Sequence, residues 1–272
     1  MMRKALTLTV ALAATLALAT GCDSGDSGDN RAEAPTVEPS QAPSVESPSA
    51  ESPSAAPSAP AETPTPTPTP AKKLKIGNKG ADVLAVQKRL VELGYWIAKA
   101  DGNFGNTTQQ AVFALQKAAG IGRDGTVGPK TQKALDDGIR PTAKSAAGSG
   151  YLVEINLKKQ LLMLVKDGQV VTTLNTSTGS NENYVYEGET YLADTPTGHF
   201  KVGRQIDGTR HGPLGDLWRP KYFNGGIAVH GSPSIPPYAA SHGCARLSNA
   251  AMNWIWATDK IPLKTKVWVY RS

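Results

Sequence analysis

Apolar residues recur at spacings of three and four along Ala81 to Leu93. Val83, Val86, Leu90 and Leu93 form the stripe, and Leu84 and Val91 broaden it. Lys88, Arg89 and Glu92 fall mostly on the other side, so the stretch predicts an amphipathic helix that Gly94 stops. Two shorter helical patterns follow before residue 138, enough for a compact three-helix bundle. After the Gly/Ser/Ala-rich stretch Thr142–Gly150 the period changes from helix to strand. Strands are predicted at Tyr151–Leu157, Gln160–Val165 and Gln169–Leu174, with Lys166-Asp167-Gly168 as a hairpin turn. Others are predicted at His199–Gln205, Gly226–His230 and Thr265–Tyr270. One helix is expected at Asn249–Thr258, capped by Ser248. The predicted architecture is multidomain: a small all-α bundle, then a mostly-β sandwich or partial barrel.

The N-terminal third carries neither period. Arg3 and Lys4 precede an apolar run from Ala5 to Ala19, too short to span a bilayer comfortably and matched to an export signal. Ala19-Thr20-Gly21-Cys22 resembles a bacterial lipobox, which implies acylation of Cys22 and a lipid anchor on the outer side of the cell membrane, within the wall. Ala17-Leu18-Ala19 also fits an ordinary cleavage site, which would leave the protein secreted. Residues 23–71 hold eleven of the 20 prolines and no Phe, Trp or Tyr, so they predict a linker without a core. Extended at about 3.1 Å per residue it would reach on the order of 150 Å. The expected layout is signal 1–22, linker 23–71, bundle 72–140, short linker 141–150 and β-rich domain 151–272.

Charge divides along the same lines. The linker carries eight acids against Arg31, whereas Lys72 to Ser272 holds 26 Lys and Arg against 15 Asp and Glu. For an exported protein a basic folded part suits an anionic envelope polymer or lipid rather than nucleic acid.

The bundle contains a duplication. Asp101-Gly102-Asn103-Phe104-Gly105 through Ala111-Val112 repeats as Asp124-Gly125-Thr126-Val127-Gly128 through Ala134-Leu135. Each copy predicts an Asp-Gly turn, a buried apolar residue, a boundary glycine and a new helix, with Pro129 at a first helical position. Together with Gly77, Gly80, Asp82-Val83, Gln87, Leu93-Gly94-Tyr95 and Gln116, this frame resembles the peptidoglycan-binding domain type 1 family. The resemblance implies docking on the glycan polymer of the wall. Gln87 and the glycines read first as builders of the bundle.

Candidate chemistry lies in His230-Gly231 and Ser241-His242-Gly243-Cys244-Ala245-Arg246. With four His and two Cys in the chain, a disulfide framework is excluded. A thiol needs a nearby base to attack at neutral pH, and two imidazoles compete for that part, His242 and His230. Gly243 lets backbone N–H groups near Cys244 converge on a developing oxyanion. Zinc on two His and one Cys is the rival, without supporting spacing.

These residues, with Ser177-Thr178-Gly179, Thr195-Pro196-Thr197-Gly198-His199-Phe200 and Leu247-Ser248-Asn249, resemble the L,D-transpeptidase catalytic domain across residues 150 to 270. The resemblance implies Cys244 as nucleophile, His230 as base and the Gly231 carbonyl as its orienter. It implies an oxyanion site shaped by His242 and the Gly243 and Cys244 amides, and Arg246 as a loop support or a carboxylate holder. Ala245, Ala250-Ala251 and the short, Pro-stiffened stretch after His230 depart from the family pattern. Trp218 and Tyr222 are candidates for the substrate groove, Phe223 for the core, and 181–188 for a polar loop. The expected reaction is acyl transfer between peptidoglycan stem peptides with neither metal nor organic cofactor, by a monomer. An L,D-carboxypeptidase, a catalytically idle wall-binding lipoprotein and a wall endopeptidase remain open.

Overall fold

The computed structural model describes residues 73–272. The signal, Cys22 and linker 23–71 lie outside the described residues. The helical part consists of α1 (Ala81–Glu92), α2 (Asn106–Ala119) and α3 (Pro129–Asp136) around Val83, Leu90, Phe104, Val112, Leu115 and Leu135.

The duplication has a physical basis in two glutamines. Gln87 of α1 is fully buried, and its Nε2 donates among Asp101 Oδ1, Asn103 O and Thr108 Oγ1 while its Oε1 accepts from the Gly102 N–H at 2.7 Å. Gln116 of α2 repeats this with Asp124 Oδ1, Thr126 O, Thr131 Oγ1 and the Gly125 N–H. Each side-chain amide thus ties a helix to the Asp-Gly turn that starts the next one. Buried backbone groups must find partners, and these turns find theirs in a side chain.

The β-rich part comprises β1 (Tyr151–Asn156), β2 (Leu161–Lys166), β3 (Gln169–Asn175), β4 (Asn183–Tyr186), β5 (Glu189–Leu192) and β6 (Gly198–Lys201). It continues with β7 (Arg204–Gln205), β8 (Thr209–Arg210), β9 (Leu217–Asn224), β10 (Ile227–Ser232) and β11 (Ala245–Ser248). Helix α4 (Asn249–Ala257) and β12 (Lys266–Tyr270) complete it. One sheet has the order β3-β2-β1-β12-β6, the other β11-β10-β9-β7 with β8 on β9, and β4-β5 forms a separate hairpin. Val153, Leu164 and Val267 from the first sheet meet Val229 and Leu247 from the second, with Met252 and Ile255 of α4. The result is a sandwich with a helix closing the core.

Strands β1 and β2 read as nearly continuous apolar runs because both faces of their sheet are covered. Leu162 and Leu164 face the inter-sheet core, Met163 and Val165 a second cluster with Tyr270, and Leu161 joins the helical core. The helical part is therefore docked on this sheet. Trp96 N donates to Thr173 O at 3.0 Å and Thr173 N to Gly94 O at 2.8 Å.

The structure revises three expectations. The strand predicted over His199–Gln205 is two strands in different sheets, because the chain crosses over at Val202-Gly203: Val202 N bonds Thr265 O, and Gly203 N bonds Tyr222 O. Most of the polar stretch 181–188 is a hairpin, with β4 and β5 paired from Asn183↔Leu192 to Tyr186↔Glu189. Strands β9 and β11 were not predicted; Arg219 and Pro220 interrupt the apolar alternation of β9. Ser248 caps α4 as expected, accepting from the Ala251 N–H at 3.2 Å.

Candidate active site

Strand β10 carries His230 and runs parallel to β11, which begins one residue after Cys244; His230 pairs with Arg246 across the two. On its other side β10 shifts register against β9 between Val229 and Gly231. The extra residue is on β9, so that Arg219, at φ +50, and Pro220 stand opposite His230, and such a bulge bends the strand that carries it. Gly231 is required by packing, since a Cβ there would sit 2.6 Å from Asn249 Oδ1 and 2.8 Å from Trp218 Cδ1.

The Cys244 loop is pinned on all sides. Ser241 N donates to Thr178 O at 2.9 Å, and Ser241 Oγ donates to Cys244 O at 2.6 Å. Thr195 Oγ1 donates to Gly243 O at 2.6 Å and accepts from Gly179 N at 2.9 Å. Arg246 N donates to Ser177 O, and Arg246 O accepts from Thr176 Oγ1 at 2.9 Å. Gly243 has φ +138, and a Cβ there would meet Asp194 O at 2.7 Å, so only glycine makes this turn without strain.

Cys244, His230, His242, Arg246 and Tyr222 line one cavity of about 640 Å³. The carbonyl of Gly231 can only accept, so at 2.8 Å it fixes the proton of His230 on Nδ1 and leaves Nε2 as the basic nitrogen. Burial, aided by the charge of Arg246, pushes the His230 pKa down to about 4, although the Gly231 bond opposes this. Burial pushes the half-buried Cys244 thiol up, opposed by the Ala228 N–H at 3.4 Å and by Arg246. The resting pair is therefore a neutral thiol and a neutral imidazole. Arg246 is partly buried, which lowers its pKa, and it has no carboxylate partner among the described residues.

Two sequence assignments change. Trp218 does not line the cavity: its indole Nε1 donates to Asn253 Oδ1 at 2.8 Å, and its ring packs beside Gly231 against the core. Regular alternation would put Trp218 and Tyr222 on one face; the extra residue of β9 between Trp218 and Lys221, where Arg219 has φ +50, separates them and leaves Tyr222 in the cavity lining. The Gly243 amide was expected to converge on an oxyanion, but it donates to Ser241 Oγ at 3.0 Å and is committed to the loop's own shape. Phe223 is buried in the core as expected.

Other cavity residues went unrecognised. Tyr184 of β4 meets the His242 ring edge-on at 4.6 Å, and Arg204 lies 3.7 Å over the Tyr222 ring. Arg210 also lines the cavity, so arginines outnumber the lone carboxylate there, Asp216. No motif marks these residues; a surplus of arginine between 204 and 246 was the available signal. Thr195, part of the motif Thr195-Pro196-Thr197-Gly198, has a place in the loop support through its link to the Gly243 carbonyl.

Comparison with known proteins agrees with this geometry. Residues 150–269 match the L,D-transpeptidase catalytic domain, and residues 79–135 match a family described as "Putative peptidoglycan binding domain". N-acetylmuramoyl-L-alanine amidase CwlL of Bacillus licheniformis is 55% identical over 64 residues, which are 23% of this chain and 18% of the amidase. The amidase CwlM of Mycobacterium tuberculosis is 39% identical over 56 residues, 21% of this chain and 14% of that protein. The chain thus spans less than a fifth of the curated relatives it matches. The crystal structure of an L,D-transpeptidase from Xylanimonas cellulosilytica is 55% identical, covering 75% of this chain and 100% of that one, with a TM-score of 0.71. On that extended likeness, the chain belongs to the L,D-transpeptidase family.

Proposed function

We propose that the protein is a peptidoglycan L,D-transpeptidase that forms 3→3 cross-links through a thioester on Cys244. The observation that carries the reading is the shared cavity of Cys244 and His230, with His230 locked so that Nε2 is the basic atom. The Cys244 proton passes to His230 Nε2 as the sulfur attacks the carbonyl of the third residue of a tetrapeptide stem. The peptide bond to the terminal D-Ala breaks, and the departing amine takes the proton from His230. A side-chain amine of a neighbouring stem then attacks the thioester, gives its proton to His230, and the thiol is restored. The protonated imidazole exists only during transfer, since burial disfavours the charged ring. His242 and the Cys244 amide face the developing oxyanion, and Arg246 holds a substrate carboxylate. The helical module docks on the glycan, and acylation of Cys22 tethers the monomer to the membrane.

Mass spectrometry of the purified protein after exposure to a carbapenem tests the nucleophile. One acyl adduct is expected on the wild type and none on Cys244→Ala; an adduct on both, or on neither, defeats the reading. Muropeptide products separate amine from water as acceptor, since a carboxypeptidase yields shortened stems without cross-links. Incorporation of labelled palmitate that is lost in Cys22→Ala tests the anchor.

A further inference from the structure

Lys117 lies on α2, in the module that resembles a wall-docking domain, yet it is only 1% exposed and its ammonium reaches into the β-rich part. Its Nζ donates to Gln160 O and Thr176 O, both at 2.9 Å, and to Asn175 Oδ1. It has no ion pair with a carboxylate among the described residues. Burial, with the Arg123 charge behind it, pulls its pKa down to about 6, and its three contacts are all oxygen acceptors. A buried amino group, charged or neutral, is costly to the fold, and an apolar residue would fill a core position on α2 more cheaply. A positional role accounts for its presence.

The acceptors of Lys117 belong to the segment on which the nucleophile loop hangs. Thr176 Oγ1 holds the carbonyl of Arg246, Ser177 exchanges both backbone bonds with Arg246, and Thr178 O accepts from Ala240 and Ser241. Gln160, held left-handed at φ +59, grips Thr178 through both atoms of its amide. The same face of the module braces the chain leading into the loop: Gln110 binds Asn175 and the Ile235 carbonyl, and Arg123 donates to Pro237 O at 3.0 Å.

We infer that Lys117 is a positioning residue for the Cys244 loop, acting from the helical module through Asn175–Thr178, so that this module is part of the support of the reactive thiol as well as a docking device. The inference rests on the transpeptidase reading for its catalytic consequence, but not for its structural one.

The test uses the full chain with Lys117→Met, Thr176→Val, the double variant and the exposed control Lys130→Met. Lys117→Met is expected to slow carbapenem acylation at saturation at least tenfold, with half-saturation changed less than threefold. Amide hydrogen exchange in residues 240–246 should speed up while that of α1 is unchanged. The double variant should lose less than the product of the single losses, because both substitutions break one path. Wild-type acylation and wild-type exchange in a folded Lys117→Met protein overturn the proposal, as does a uniform rise in exchange across the whole chain. If Lys117→Met does not fold, Lys117→Gln takes its place under the same criteria. If the wild type itself is not acylated, the transpeptidase reading falls, and exchange in 240–246 still decides the role of Lys117.

Discussion

His230 and Gly243 show how much of this site is set by single residues. His230 holds its pKa near 4 because charging it would strand a cation inside the sandwich. The acid limb of kcat/KM is therefore expected near pH 4 rather than near the ordinary value for imidazole, and a limb at 6.5 would contradict it. The same shift affects stability. An unfolded chain takes up the proton below about pH 6.5 and the folded one does not until about 4, so stability is complete above 6.5 and declines as pH falls between them. About 2–3 kcal/mol should be lost by pH 4.5 relative to His230→Gln, measured by urea unfolding at pH 7.5 and 4.5. Gly243→Ala places a methyl group against the Asp194 carbonyl in a left-handed turn. It is expected to cost about 1–3 kcal/mol and to abolish the carbapenem adduct. That Cys244 and His230 share one cavity was foreshadowed in the sequence, because few side chains in it pair a thiol with an imidazole. Trp218 was misplaced because a strand face depends on register, and β9 gave no register signal.

At the scale of elements, the two glutamine-anchored turns behave as one unit used twice. Gln87→Ala and Gln116→Ala each leave a buried glycine N–H and a threonine hydroxyl without their amide partner. Both should destabilise the helical module by about 2–4 kcal/mol in denaturant unfolding. Similar losses at the two sites would mark the duplication as mechanical; a neutral Gln87→Ala with loss of glycan binding would mark Gln87 as a ligand contact instead. The helices themselves were legible, since their 3.6-residue period and boundary glycines are local signals. The β4–β5 hairpin was not, because β5 is exposed throughout and β4 is only half-buried along one face. The break between β6 and β7 was hidden for another reason: a strand that changes sheets keeps its local pattern and changes only its partners.

At the scale of the molecule, the helical module packs on β3 and on the start of β2, and its Lys117, Gln110 and Arg123 bond to segments adjoining the Cys244 loop. The sequence showed two modules with a small-residue stretch between them, which reads as independence. Docking was written only in the excess apolarity of β1 and β2, where Leu161 faces the helices and Leu162 the sandwich. Surfaces between modules carry no period of their own, so they stay invisible until the fold is known. Lys117 gave no sign either, because a lysine on an amphipathic helix is presumed to face water.

The position of β12 has a consequence in time. This strand lies between β1 and β6, pairing parallel with residues more than a hundred positions earlier. The first sheet therefore stays split, and the sandwich unsealed, until residues 266–270 have been made. Pairings this distant in sequence form late because a long loop must close first. A chain stopped after Ile261 should keep the helical module but show no cooperative unfolding of the β-rich part by circular dichroism. During synthesis the thiol of Cys244 is thus made before the fold that can aim it, and it stays unaimed until β12 is in place.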